Sequence, residues 1–322
     1  NKKGSLICKN TLQRKLLNDD IEQQFIDNGD IKAWLCMPKE IKSSIVVVSL
    51  SGSNGGYSGT RARLLASKGI PSLALAYFGK KGLPKTLKEI PLEYFKKAFD
   101  FLKSNPSTSS LPIIVIGESR GGELALLLGS YFPKDVKGVV AYVPSNFVWG
   151  GIPQHQSSAW TYNNEPLPCI LPSQKSAGKA LSKKQQFKAI SPLSIAIESI
   201  NNTPEEKQLA ATIPIENFKG PLLLISGKDD QMWPSSSSCQ LITEELSIKG
   251  FDVEHLDYEG TGHNITFPGM PTTTKTFWHP FAKSWFILGG NAKDSYEASK
   301  DSWEKILEFL NKKDFTLIEK RL

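Results

Sequence analysis

Short, almost continuous apolar runs alternate with stretches of helical spacing through the first 143 residues. The runs at 31–37, 44–50, 71–77, 112–116 and 137–143 are rich in aliphatic and β-branched residues and predict strands. Between them, 61–68, 91–103 and 120–131 predict helices. Within 91–103, Leu92, Phe95, Ala98, Phe99 and Leu102 fall on one helical face. Strands that are apolar throughout, separated by amphipathic helices, belong to a mainly parallel sheet covered on both faces, so the fold class is α/β.

The pattern lapses after Pro144. Residues 145–217 are rich in Pro, Ser, Gln and Asn, with weak periodicity and aromatic residues at Phe147, Trp149, Trp160 and Tyr162. A stretch of that length is expected to be an insertion over one end of the sheet. Its aromatic residues either line a pocket or anchor the insertion. Strands then resume at 221–225 and 251–256, with helices at 235–249 and 295–310. No internal repeat is evident. The organisation expected is an N-terminal extension over 1–21 and one domain over 22–322 that contains the insertion.

Composition narrows the function classes. Of 322 residues, 39% are hydrophobic, which suffices for a large core, and the formal charge is +7. The basic residues are scattered among acids, so a nucleic-acid footprint is not expected. Cys8, Cys36, Cys169 and Cys239 lie too far apart for a zinc or redox motif, and Cys36 sits in an apolar run as a small buried hydrophobe. No metal and no cofactor are expected. No stretch is long and apolar enough to span a bilayer. The chain starts at Asn1 rather than Met, so an upstream segment is expected to be missing. Lys320-Arg321-Leu322 differs from a peroxisomal tripeptide at its first position. The compartment stays open, with a soluble, cytoplasmic setting favoured.

Candidate chemistry begins at 112–124, PIIVIGESRGGEL. In an open parallel sheet, reactive groups gather at the carboxyl ends of strands, and Ser119 stands at such an end. G-x-S-x-G between a strand and a helix is the nucleophile elbow, a sharp turn that lifts the serine hydroxyl clear of the backbone. Read alone, it is equally a glycine-flanked turn with an incidental serine. A serine nucleophile also needs a base and an acid that orients it. His263, in Gly260-Thr261-Gly262-His263 beyond the strand at 251–256, is preferred to His155, His255 and His279 on position and chain order. Asp229 and Asp230 both follow the strand at 221–225. Asp230 fits the G-x-x-D frame of the orienting acid, whereas Asp229 could cap or brace the loop. For the oxyanion, the backbone N–H groups of Arg120 and Ser53 are the expected donors, with Asn54 next. The glycine cluster around Ser53 lacks the endings of a nucleotide-binding loop.

Several segments together resemble the C-terminal catalytic domain shared by acyl-CoA thioesterases and bile acid-CoA:amino acid N-acyltransferases, a branch of the α/β-hydrolases near dienelactone hydrolase. They are SGSNGGYSGTRARLLASKGIPSLALAYFG, IPLEYFKKAFDFL, GESRGGELALLLGSYF, IPIENFKGPLLLISGKDDQMWPS, GTGHNITFPGMP and LGGNAKDSYEASKDSWEKILEFL, spread over residues 22–312. The resemblance implies an α/β-hydrolase fold with Ser119, Asp230 and His263 as nucleophile, acid and base. Family members often carry an immunoglobulin-like domain before the hydrolase, for which this chain has too little sequence. Serine rather than cysteine at the elbow favours water over an amine as acyl acceptor. The expected activity is therefore serine acyl hydrolysis of a small acyl-CoA or ester substrate, above all as an acyl-CoA thioesterase. A carboxylesterase or dienelactone-type hydrolase, an acyl-CoA:amino acid N-acyltransferase and a non-enzymatic binding protein are the other readings.

Overall fold

The computed structural model of the chain describes residues 20–153, 156–173, 189–312 and 315; Cys8, His155, most of the N-terminal extension and the C-terminal tripeptide lie outside them. In chain order, the first half comprises β1 (Ile21–Asp27), β2 (Lys32–Pro38), β3 (Val46–Leu50), α1 (Gly59–Ser67), β4 (Ser72–Ala76), β5 (Ile90–Pro91), α2 (Glu93–Ser104), β6 (Ile113–Glu118), α3 (Arg120–Tyr131) and β7 (Val136–Tyr142). Then follow β8 (Trp160–Tyr162), β9 (Glu165–Pro166), α4 (Leu193–Asn202), α5 (Glu205–Ala211), β10 (Leu222–Gly227), α6 (Ser235–Ile248), β11 (Val253–Tyr258), the hairpin β12 (Thr276–His279) and β13 (Ser284–Ile287), and α7 (Ala292–Lys312).

The central sheet runs β1-β2-β4-β3-β6-β7-β10-β11. The pairs β1/β2 and β2/β4 are antiparallel, and from β4 to β11 every neighbour is parallel. The continuous apolar runs make sense once both faces are followed. Val46, Val48, Val115, Val139 and Leu224 feed the core under α2, α3 and α6, whereas Val47, Ile114, Ile116, Val140 and Ile225 feed the core under α7. Alternate side chains of a strand point to opposite faces, so a strand buried on both must be apolar at every position.

Between β7 and β10 the chain leaves the sheet and returns, and this excursion holds β8, β9, α4 and α5. Of its aromatic residues, Trp160 is fully buried in the main core. Tyr162 packs on Tyr131 and Phe132, and Phe147 lies against a small cluster with Trp149 and Trp233. All four therefore anchor the excursion. Trp149 alone both anchors it and lines a cavity. Among the described residues, Cys36, Cys169 and Cys239 are free, and no helix is long and apolar enough to cross a membrane.

Candidate active site

Ser119 follows the last residue of β6 and precedes the first of α3, with φ 55° and ψ −120°. Non-glycine residues rarely hold that backbone conformation, and it costs on the order of 1–3 kcal/mol. The flanking glycines are sterically required. A Cβ on Gly117 would lie 1.9 Å from the carbonyl oxygen of Gly121, and one on Gly121 would lie 2.3 Å from that of Ser51. The turn is thus clamped between its own backbone and the loop after β3.

His263 lies in the loop after β11, where its N–H donates to the Leu288 carbonyl at 2.8 Å. Its Nε2 is 2.8 Å from Ser119 Oγ, and its Nδ1 is 2.8 Å from Asp230 Oδ2. A carboxylate only accepts, so Nδ1 carries the proton and the Nε2 lone pair faces the serine hydroxyl. Asp230 is buried in the loop between β10 and α6. Its Oδ1 accepts the Met232 N–H at 2.8 Å, and its Oδ2 accepts the Ser235 hydroxyl at 2.6 Å. The helix N-terminus adds a favourable field for the carboxylate. Asp229 points elsewhere: its carboxylate accepts the Gly290 N–H at 2.8 Å and the Gln231 amide at 2.9 Å, bracing the loop. A serine hydroxyl bonded to an imidazole that is tied to a buried carboxylate can give up its proton as it attacks a carbonyl.

The loop carrying Ser53 abuts the elbow, since a Cβ on Gly52 would lie 3.3 Å from Ser119 Cβ. Ser53 and Arg120 both border the cavity that holds Ser119. The side chains of GESRG tie the turn to both sides of the site. Glu118 is ion-paired with the buried Arg61, which lies over the Tyr142 ring. Arg120 meets Glu123 at 3.0 Å, both side chains being buried, and also donates to the Trp149 carbonyl at 3.0 Å. Glu123 Oε1 accepts the Trp149 N–H at 3.1 Å and the Trp160 indole N–H at 2.7 Å. Burial pushes the Glu123 carboxyl up to about 7 against the pull of the Arg120 guanidinium. This knot fastens the excursion after β7 to the first turn of α3. Arg120→Met would strand the carboxylate, and it is expected to lower the unfolding free energy by about 3–5 kcal/mol, measurable by urea denaturation.

Two cavities meet at Ser119. One, about 430 Å³, lies beneath the excursion and is largely apolar, with walls of Trp149, Ile152, Ile195, Trp233 and Phe286. The other, about 630 Å³, is more polar and includes Tyr57, Thr60, Arg61, Asn264 and Thr266. Ser53, Ser119 and Met232 border both.

His279, not favoured as the base on position or chain order, is 1% exposed on β12 and also lines the apolar cavity. Its Nδ1 accepts the Ala282 N–H at 3.0 Å, so the neutral ring carries its proton on Nε2, which donates to Ser53 Oγ at 2.9 Å. The signal was the alternation across Phe277, His279, Ser284 and Phe286, read as a hairpin rather than a loop. Burial drives the His279 pKa down to about 4. Between pH 6.5 and 4 the unfolded chain therefore takes up a proton that the folded one refuses. The stabilisation held at neutral pH is lost over that interval, by about 3 kcal/mol. His279→Gln should make the fall in stability shallower there, as read from urea unfolding at stepped pH. An identical slope in both proteins would refute the assignment.

A mostly parallel sheet flanked by helices, with serine, acid and histidine met in that chain order at its carboxyl edge, defines an α/β-hydrolase. Solved structures agree on the fold. The Pyrococcus horikoshii acylaminoacyl peptidase superposes with a TM-score of 0.55 at 16% identity, over 91% of this chain and 41% of that one. A dienelactone hydrolase-like promiscuous phosphotriesterase from metagenomic libraries gives 0.51 at 12% identity, over 90% and 96%. Within this class, the chain belongs to the BAAT / acyl-CoA thioester hydrolase C-terminal family, which matches residues 90–315. It is 30% identical over 312 residues to human acyl-coenzyme A thioesterase 6, covering 96% of this chain and 69% of that protein.

Proposed function

We propose that the protein hydrolyses acyl-CoA thioesters to the free acid and CoA through an acyl-enzyme on Ser119. The observation that carries this reading is the hydrogen-bonded series from Asp230 through His263 to Ser119, standing where an apolar cavity and a polar cleft meet. The similarity to a human acyl-coenzyme A thioesterase supplies the substrate class.

Ser119 Oγ attacks the thioester carbonyl carbon while His263 Nε2 takes its proton, giving a tetrahedral oxyanion and an imidazolium. Asp230 holds the Nδ1–H throughout and stabilises that imidazolium. The N–H groups of Arg120 and Ser53 receive the oxyanion, each worth on the order of 3 kcal/mol. The intermediate collapses as the C–S bond breaks, and the departing sulfur takes the proton from Nε2. Water then attacks the Ser119 ester, giving its proton to Nε2. Collapse breaks the C–Oγ bond, returns the proton to Ser119 and releases the acid. The apolar cavity receives the acyl chain, where each methylene buried adds about 0.8 kcal/mol. The polar cleft receives the leaving group.

Treatment with a fluorophosphonate, followed by mass spectrometry, tests the reading. Label is expected on the peptide bearing Ser119, with acyl-CoA hydrolysis lost in proportion to labelling. Full hydrolysis by stoichiometrically labelled protein would refute it. Conjugates formed in the presence of glycine or taurine would redirect the acceptor from water to an amine.

A further inference from the structure

Three aromatic rings gather at the antiparallel edge of the sheet. Phe25 of β1 stands in register with Trp34 of β2, their centroids 5.1 Å apart, and Tyr57 meets Phe25 edge-on at 6.2 Å. Phe25 is 46% exposed and Trp34 36%. A cross-strand aromatic pair stabilises a hairpin by up to about 1 kcal/mol, which accounts for the pairing but not for where it lies.

The patch belongs to the active-site edge. β2 runs antiparallel to β4, with Trp34 opposite Ala74 and Lys32 opposite Ala76, the last residue of β4. Trp34 is therefore two residues from the edge on which Ser119 stands. Three strand spacings, about 14 Å, separate β2 from β6. Tyr57 bridges that gap, since it touches Phe25 and also lines the polar cleft that reaches Ser119. Beside it is a cation: the exposed Lys80 holds its Nζ 5.3 Å from the Tyr57 ring centroid and has no carboxylate partner among the described residues. Lys81 follows it, also exposed. Lys32, by contrast, is already paired with Asp27.

Exposed flat rings, an uncompensated ammonium and a polar cleft that leads to a reactive serine match a ligand with an aromatic base, phosphates and a long polar arm. We propose that Phe25, Trp34, Tyr57 and Lys80 seat the nucleotide end of coenzyme A. The adenine stacks on the Trp34 and Phe25 faces, Lys80 meets the phosphates, and the pantetheine arm follows the cleft to Ser119. This rests on the acyl-CoA reading above.

The experiment compares an acyl-CoA with the same acyl group on N-acetylcysteamine, which keeps the thioester but lacks the nucleotide. Trp34→Ala is expected to lower the ratio of kcat/KM between the two substrates by about tenfold or more, the loss of one base–aromatic stack, chiefly through KM for acyl-CoA. Lys80→Glu should lower the ratio as well, and Trp34→Phe should largely restore it. An unchanged ratio in Trp34→Ala and Lys80→Glu, or an equal fall on both substrates, overturns the seat. If the wild-type protein hydrolyses neither thioester, the acyl-CoA reading fails by itself. Free coenzyme A titrated calorimetrically into wild type and Trp34→Ala then decides the seat, with equal affinity overturning it. A concentration-dependent dimer lost in Trp34→Ala would make the patch an interface between copies and also overturn it.

Discussion

Ser119→Ala is expected to lower kcat on an acyl-CoA by roughly 10⁴- to 10⁶-fold, the range seen when the nucleophile of a hydrogen-bonded triad is removed. In the proposed mechanism Ser119 Oγ is the one atom that forms a covalent bond to the acyl group, and its bond to His263 Nε2 at 2.8 Å would let that proton leave during attack. Without it, His263 and the oxyanion donors still bind and polarise the carbonyl, so a residual rate above water is expected rather than none. The backbone offers a second readout. Ser119 sits at φ 55°, a conformation that alanine tolerates no better than serine but that glycine adopts freely. Ser119→Ala should therefore leave the denaturation midpoint nearly unchanged, whereas Ser119→Gly should raise stability by about 1 kcal/mol while being equally inactive. Stopped acyl-CoA turnover with a stability gain in the glycine variant alone would show that strain at the elbow is maintained for reactivity. Retained turnover in both would remove Ser119 from the mechanism.

Strands β3, β4, β6, β7 and β10 were legible because their apolar runs are buried on both faces of the sheet, a pattern no solvent-facing segment produces. Boundaries moved by one to three residues where chain chemistry intervened. The helix expected from Pro91 starts at Glu93, since Ile90 and Pro91 pair with Trp160 and Thr161 of β8. β1 escaped notice because its sequence, IEQQFID, is mostly polar, as suits an edge strand exposed along much of its length. The excursion after β7 was legible only as a break in pattern. Its small helices draw their stability from contacts with distant segments, such as the seating of Ala196 and Ala211 in a cluster with Trp149 and Trp233, which local periodicity does not encode.

At the site, residues carried by the strand-end loops could be named from spacing, whereas partners supplied by folding could not. Glu123 lies one turn into α3 and looks like an ordinary first-turn acid. Only the fold sets it against Arg120, Trp149 and Trp160. His279 comes from a hairpin far along the chain and reaches Ser53 across 226 positions of sequence separation. Choosing between Asp229 and Asp230 likewise rested on a frame of four residues. The hydrogen bonds each makes now give that choice a physical basis and a direct test.

Asp230→Asn is expected to lower kcat by about 10⁴-fold with little change in fold, whereas Asp229→Asn should cost less than about tenfold. At position 230 the carboxylate accepts from the Met232 N–H on one oxygen, and from Ser235 and His263 on the other. An asparagine that keeps its carbonyl oxygen on Met232 must turn its NH₂ group towards His263 Nδ1. That nitrogen can then only accept, so the proton moves to Nε2 and the ring presents a donor, not a lone pair, to Ser119 Oγ. The histidine stays in place but in the wrong tautomer for taking a proton. At position 229 the acceptors face the Gly290 N–H and the Gln231 amide, away from the imidazole, and an asparagine oxygen can keep the backbone bond. Loss of turnover in Asp230→Asn with an unchanged urea-denaturation midpoint, alongside a near-normal Asp229→Asn, is the result this geometry requires. If Asp229→Asn proved the more damaging of the two, the acid behind His263 would have to be reassigned.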